Sequence, residues 1–362
     1  MELVMNKNTG MKNLCKYLIP LFLIGLLMAP LGGSYAGNKD RSGQAGAGEL
    51  LINPWARSSG WGNVNTANVR GVEGMFINVA GIAFTNKSEF GFSYVNYLQG
   101  TGINIFTFGY AQKLGESSVL GISVFSMAFG SIEVTTNANP DGGIGEYSPA
   151  YLNVNLAYGK AFSNSIYGGL NIKIISEAIA DVSAQGIAID AGIQYVTGAR
   201  DQIMFGIALK NVGPRMKYSG DGILQKAVPD ISGYTMSTYM PASSFELPAA
   251  LDIGAAYNFD IGEITRLTLA ANFRSNSFGK DQFIGGIELA LKEIVMLRAG
   301  YTYEDGITQK KDRTTFYTGP SAGITVDVPL NKEKGSSFGV DYSYRATDPF
   351  SGIHSVGIIM AF

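Results

Sequence analysis

Few residues in this chain are equipped for covalent or acid–base chemistry. The sequence holds a single histidine, His354, and a single cysteine, Cys15. A hydroxyl or thiol nucleophile needs an adjacent base, and the elbow-type serine hydrolases need a Gly-x-Ser-x-Gly spacing that does not occur here. His354 falls in an alternating segment near the C-terminus, which suits a lipid interface or a partner surface better than a general base. Oxygen ligands of the kind Ca²⁺ takes stand together at Asn137, Asn139, Asp141 and Glu146, but the same run also makes a hydrated turn. Gly60-Trp61-Gly62 and Gly142-Gly143 are too short for phosphate cradles and read as turns. The residues therefore predict no enzyme, no cofactor and no metal site. A formal net charge of −2 gives no electrostatic footprint for nucleic acid.

With catalysis set aside, the two ends of the chain become informative. Lys12 and Lys16 precede an apolar run from Tyr17 to Pro30, and Ser34-Tyr35-Ala36 makes a small-x-small site. That is a Sec signal peptide over residues 1–36, cleaved after Ala36. Pro20 and Pro30 oppose the rival reading, an N-terminal membrane anchor, and Met11 serves as well as Met1 as a start. Cys15 lies ahead of the apolar run, so a lipoprotein signal does not fit, and its removal leaves a chain without thiols. Beyond residue 36 no apolar run is long enough for a membrane helix, while Gly (47), Tyr (19) and Phe (20) abound. An exported chain of that texture is a large secreted β protein or a membrane barrel.

At the other end, Phe362, Met360, Ile358, Val356 and His354 alternate with mostly small or polar residues. Period-2 alternation ending in an aromatic is how the closing strand of an outer-membrane barrel reads, and Phe362 then serves as its assembly signal. The last strand of a soluble sheet reads the same way, so the rest of the chain must decide. From Ser88 onward fourteen segments of about 11 residues follow, the length a tilted strand needs to cross hydrocarbon. They run near 88–98, 101–113, 117–130, 149–161, 164–178, 182–196, 201–212, 246–259, 263–275, 280–291, 294–305, 314–329, 336–346 and 350–362. Segments 117–130 and 164–178 are the weakest, which leaves twelve or sixteen open.

Three further patterns favour the membrane. Tyr158, Tyr195, Phe259, Tyr303 and Tyr344 lie near segment ends, as interfacial girdles do. The opposite face carries Lys173, Asp190, Arg266, Asn272, Arg274, Glu288, Arg298, Asp327, Asp341 and Arg345, which suits a wet or plugged lumen. Tight turns alternate with longer connections such as 131–148 and 213–245. The expected fold class is all-β, a transmembrane antiparallel β-barrel of about 14 strands over 88–362 in the outer membrane, in contact with its lipid.

Residues 37–87 lack barrel alternation and contain both tryptophans, Trp55 and Trp61. They are expected to form an N-terminal plug or hatch inside the barrel mouth, entered from the periplasm. The loop 213–245 is long enough to be functional. It carries Met216, Tyr218, Leu224, Tyr234, Met236, Tyr239 and Met240, a surface suited to a protein partner, a gate, or a cap on the barrel.

Within the hatch, Leu51-Ile52-Asn53-Pro54-Trp55-Ala56-Arg57-Ser58-Ser59-Gly60-Trp61-Gly62 resembles the "ARAAGMGD"-type motif that opens the PorV/PorQ family. Asn78-Val79-Ala80-Gly81 resembles its "NPAG" element, and Lys210-Asn211-Val212-Gly213 and Phe245-Glu246-Leu247-Pro248 are also similar to that family. The chain departs from the pattern at Ser58, Ser59, Trp61 and Val79, which leaves the subgroup open. The resemblance implies a FadL-like barrel tied to the type IX secretion system of Bacteroidota. It implies protein partners: cargo C-terminal domains and the translocon for PorV-like members, surface attachment proteins for PorQ-like members. The rival function on the same fold is a FadL-like transporter of hydrophobic small molecules.

Overall fold

A computed structural model describes residue 37 and residues 39–227, 236–239, 241–262, 264–331 and 335–362. The expected signal peptide, with Cys15 and the cleavage point after Ala36, lies outside the described residues, as do Tyr234 and Met240. Eighteen strands occur among them: β1 (Ser88–Tyr97), β2 (Ile103–Leu114), β3 (Ser118–Ala128), β4 (Ile132–Glu133), β5 (Glu146–Tyr147), β6 (Ala150–Ala161), β7 (Ile166–Ile179), β8 (Val182–Thr197), β9 (Ile203–Val212), β10 (Leu224–Ala227), β11 (Met236–Tyr239), β12 (Ala250–Ile261), β13 (Thr265–Asn276), β14 (Gln282–Leu291), β15 (Val295–Glu304), β16 (Tyr317–Asn331), β17 (Ser336–Thr347) and β18 (Ile353–Ala361). Fourteen of these close one barrel, each pairing antiparallel with its sequence neighbour in the ring. The pairs β4–β5 and β10–β11 are small hairpins within connections. The weakest sequence segments became β3 and β7, each paired along its length on both sides, so the count is fourteen.

Closure is made by β1 and β18, with Phe92 opposite Ile358 on one side and Phe108 of β2 on the other. Alternation sorts the side chains as the pleat requires. Phe92, Phe108, Ile172, Ile207, Leu297 and Val340 are exposed on the outer face, while Asn155, Asn171, Lys173, Asp190, Asp252, Arg298 and Asp341 are buried on the inner one. An apolar exterior around a polar, filled interior inverts the soluble pattern and is what a hydrocarbon solvent selects.

Short turns at 115–117, 162–165, 198–202 and 292–294, together with the strand ends Ile261 and Thr265 and the strand ends Asn331 and Ser336, share one end with Ser88 and Phe362. In outer-membrane barrels that end faces the periplasm. Connections 98–102, 129–149, 277–281, 305–316 and 348–352 and residues 213–223 and 241–249 gather at the other, outer end, where β7 and β8 meet in the tight turn Ala180–Asp181.

Residues 39–87 run through the lumen as short turns of helix, chiefly Gly48–Leu51, Ala56–Ser59, Gly71–Met75 and Val79–Phe84. Their direction corrects the expectation of a periplasmic entry. Ala45 bridges to Glu246, Arg41 pairs with Glu246 at 3.0 Å and lies 4.2 Å over the Phe278 ring, all at the outer end. The segment then descends past Trp55 and reaches the periplasmic end at Ser88, which exchanges backbone hydrogen bonds with Phe362. The path is not straight: Gly71 already meets Glu89 near the periplasmic end, Phe76 returns to Phe125 and Trp55, and Phe84 comes back down to Tyr167.

Candidate functional site

The seat of the hatch is built from backbone and small residues. The Asn53 side chain accepts from the Trp55 amide at 3.2 Å and donates to Asn63 at 2.7 Å, fixing the bend at Pro54. The Pro54 carbonyl accepts from Ser93 of β1 at 2.7 Å. Trp55 is buried beside Phe76, with ring centroids 6.3 Å apart. Asn78 caps the turn that follows it by accepting from Ala80, and it donates to the Thr66 and Ile193 carbonyls at 2.8 and 3.1 Å. Buried polar groups of this kind are costly unless paired, so these bonds make the path of the hatch specific.

Wall glycines let the hatch approach. A Cβ on Gly300 would lie 2.3 Å from the Trp61 carbonyl, and one on Gly206 2.3 Å from the Thr66 carbonyl. Within the hatch, a Cβ on Gly60 would meet Gly323 at 2.8 Å and one on Gly81 would meet the Val69 carbonyl at 2.6 Å, while Gly62 holds a φ of 76°. Gly60 and Gly62, expected in a turn, lie in one at 60–63, and the wall glycines Gly206 and Gly300 are the surface against which the hatch backbone rests.

Ala56 opens the helical turn that carries Arg57 against the wall. Arg57 pairs with Asp341 at 3.1 Å, Asp327 at 3.6 Å and the hatch residue Glu73 at 3.9 Å. Burial acts to lower its pKa, but the three carboxylates outweigh it, and the guanidinium is held charged. Glu73 also accepts from Ser58, and burial still pushes its carboxyl up to about 7. Around this cluster a cavity of about 230 Å³ opens on the periplasmic side, lined by Arg57, Arg70, Arg266, Arg298, Glu73 and Glu288.

A larger cavity of about 580 Å³ occupies the outer mouth above the hatch. Its wall includes Tyr97, Phe129, Phe278, Phe316 and Tyr317 together with Glu49, Arg274, Lys280, Glu304 and Arg345. It is aromatic-walled, with charge placed at intervals.

The structure brings Asn53, Pro54, Trp55, Ala56, Arg57, Gly60, Trp61, Gly62, Asn78 and Gly81 together in the lumen, where each has a packing or hydrogen-bonding role. The two later motifs also meet: Asn211 donates to the Pro248 carbonyl at 3.0 Å, and Lys210 pairs with Asp252 at 3.0 Å. In the loop 213–245, Met216, Ser219 and Phe245 lie at the outer end, where Ser219 bridges to Ser183. Met216, expected on its partner-facing surface, is instead buried, bridging to Phe245 and packed on Gly186. Tyr218 donates to Glu177 and stacks on Phe245 at 5.5 Å, and Leu224 is exposed. Met236 and Tyr239 sit on β11. His354 lies on the outer face with Tyr342, whose hydroxyl is 2.8 Å from its Nδ1. Among the described residues no cluster of three metal-ligating side chains occurs. Sequence reading missed Glu73, Glu49 and Tyr97, since isolated residues in non-repeating or alternating segments carry no signal of what they will face.

No protein-family model matches the chain, and no curated protein does. Solved structures do resemble it. The Ralstonia pickettii toluene transporter TbuX is 12% identical, with 86% of this chain and 98% of that one covered at a TM-score of 0.51. The Pseudomonas putida toluene transporter TodX is 13% identical, with 85% and 97% covered at a TM-score of 0.52. At such identity the likeness is one of fold, the closed antiparallel β-barrel with fourteen strands in this chain.

Proposed function

We propose that the chain is an outer-membrane transporter that admits a hydrophobic or amphipathic small molecule at its outer mouth. The observation that carries this reading is the aromatic-walled cavity of about 580 Å³ resting on the hatch, a volume within the range of small-molecule sites. The hatch is the floor of the cavity, so a bound molecule passes only when the hatch yields. The fold shared with two toluene transporters supports the reading without naming the substrate, because one fold hosts many functions. Binding of toluene to the purified barrel in lipid nanodiscs, and its uptake by cells with and without the gene, test the proposal. Absence of binding by both toluene and an amphipathic probe such as a phenylalanine dipeptide, with unchanged uptake, would sink it.

One observation favours a second reading. The hatch is buried at its waist, with Trp55, Trp61, Val64, Ala67 and Met75 inaccessible, and every neighbouring pair of wall strands is hydrogen-bonded. A sealed barrel suits an anchor that works through its outer loops, as the PorV/PorQ resemblance implies: cargo C-terminal domains, the type IX translocon or surface attachment proteins would bind there. A pulldown from detergent-solubilised membranes separates the two. Recovery of a translocon barrel or a cargo domain supports the second reading; recovery of the barrel alone with a bound small molecule supports the first.

A further inference from the structure

The charges around the outer cavity are unequally compensated. Arg274 is clamped by Asp252, with Nε and Nη2 at 2.8 and 3.2 Å from its two carboxylate oxygens. Glu304 accepts from Gln282 at 3.0 Å and Thr314 at 2.6 Å. Lys280 donates to the Asp305 and Asp312 carbonyls at 2.7 and 2.9 Å. Two charges remain. Glu49, on the hatch segment, has no hydrogen-bond or ion-pair partner among the described residues. Arg345, on β17, has no carboxylate partner among them and lies 4.0 Å over the Tyr317 ring.

Between them runs an aromatic surface. Tyr97 meets Phe316 edge-on at 5.9 Å, and Phe316 meets Tyr317 at 4.5 Å. Glu49, Tyr97, Phe316, Tyr317 and Arg345 all line this one cavity, so the two charges share its aromatic wall. A neutral hydrocarbon would cover these two groups without compensating either, and covering a charge without pairing it is costly. A singly charged ligand would satisfy one and strand the other.

Resting on the small-molecule reading above, we infer that the outer cavity is a site for zwitterions, in which Glu49 takes an ammonium, Arg345 a carboxylate, and Tyr97, Phe316 and Tyr317 the apolar body between them. Short peptides and amino-acid-like molecules with an aromatic or aliphatic side chain have this chemistry.

The test uses a dipeptide of two phenylalanines in four forms: free termini, N-acetylated, C-amidated and doubly blocked, titrated by calorimetry into the whole barrel in nanodiscs. The free form should bind, and blocking either end should weaken binding on the order of tenfold. In Glu49→Gln the penalty for acetylation should vanish while that for amidation stays; in Arg345→Gln the reverse should hold. Heat-modifiable migration on gels establishes that each variant is folded, and the four ligands test the inference on the unaltered protein. Equal binding of the doubly blocked and free forms would overturn the inference and leave the small-molecule reading standing. Penalties that persist unchanged in both variants would overturn the assignment to Glu49 and Arg345. Failure of all four forms while toluene binds would overturn the inference alone, and failure of toluene as well would remove both.

Discussion

The Arg57 guanidinium, carried by the hatch, donates from Nε to Asp341 of β17 at 3.1 Å, across 284 positions of sequence. This contact ties the segment that fills the lumen to the wall that surrounds it. It is three-quarters buried, so it is not screened as a surface pair would be.

Replacing Arg57 with Ala should therefore loosen the hatch. It strands Glu73, Asp327 and Asp341 near one another without their shared cation, and breaking a buried pair in this way costs about 3–5 kcal/mol. The variant should show a lower thermal midpoint in detergent and larger ion currents in planar bilayers. Wild-type currents and midpoint would show that Arg57 does not hold the hatch.

Glu73 sets a pH dependence of opposite sign to that of ordinary paired carboxylates. Burial raises its carboxyl to about 7 from a usual 4.5, against the attraction of Arg57 and the Ser58 hydrogen bond. Below about pH 4.5 the group is protonated whether folded or unfolded and costs nothing. The cost grows as pH rises towards 7 and is full above it. Stability should thus fall between pH 5 and pH 8 in the wild type and fall less in Glu73→Gln. Equal pH slopes in unfolding experiments would remove Glu73 from the account.

Gly300→Ala and Gly206→Ala each place a methyl against hatch backbone, at 2.3 Å from the Trp61 and Thr66 carbonyls respectively. Backbone cannot swing aside as a side-chain tip can, so each should destabilise by about 1–3 kcal/mol and raise the bilayer current. Gly115→Ala, in a periplasmic turn with nothing nearby, gives the comparison: its φ of 65° is strained for alanine, but the hatch should stay seated.

Phe362→Ser should reduce the amount of assembled barrel. Phe362 packs edge-on to Phe90 at 6.1 Å, and its backbone pairs with Ser88 in both directions where the barrel closes. The folded, heat-modifiable fraction in outer-membrane preparations measures the effect. An undiminished fraction would deny the terminal aromatic its role in assembly.

Much of the wall was legible because period-2 alternation is a local property. The run from Tyr151 to Tyr158 announces its own two faces, and β6 displays them as read: Leu152 and Leu156 outward, Asn153 and Asn155 inward. Met216 shows what local pattern leaves open: an apolar, Met-rich loop reads equally as a partner surface or a cap, and only the fold, which buries Met216 on Gly186, favours the cap at that residue.

Glycine marks the limit of sequence reading most clearly. Gly91 and Gly109 face one another across β1 and β2, Gly206 and Gly254 across β9 and β12, and Gly286 and Gly300 across β14 and β15. In sequence each weakens a strand or suggests a turn. Around the closed barrel they form the surface on which Trp55, Thr66, Val64 and Trp61 rest. The sequence by itself determined where most wall strands lie and which face of each meets lipid, because alternation and strand length answer to the solvent outside; the count of fourteen was settled by the pairing of β3 and β7. Only the tertiary structure decided that the hatch enters from the outer end, that Arg57 reaches Asp341, and that Glu49 and Arg345 share a cavity. Those relations exist between segments far apart in the chain, and no local pattern encodes which of them closure will bring together.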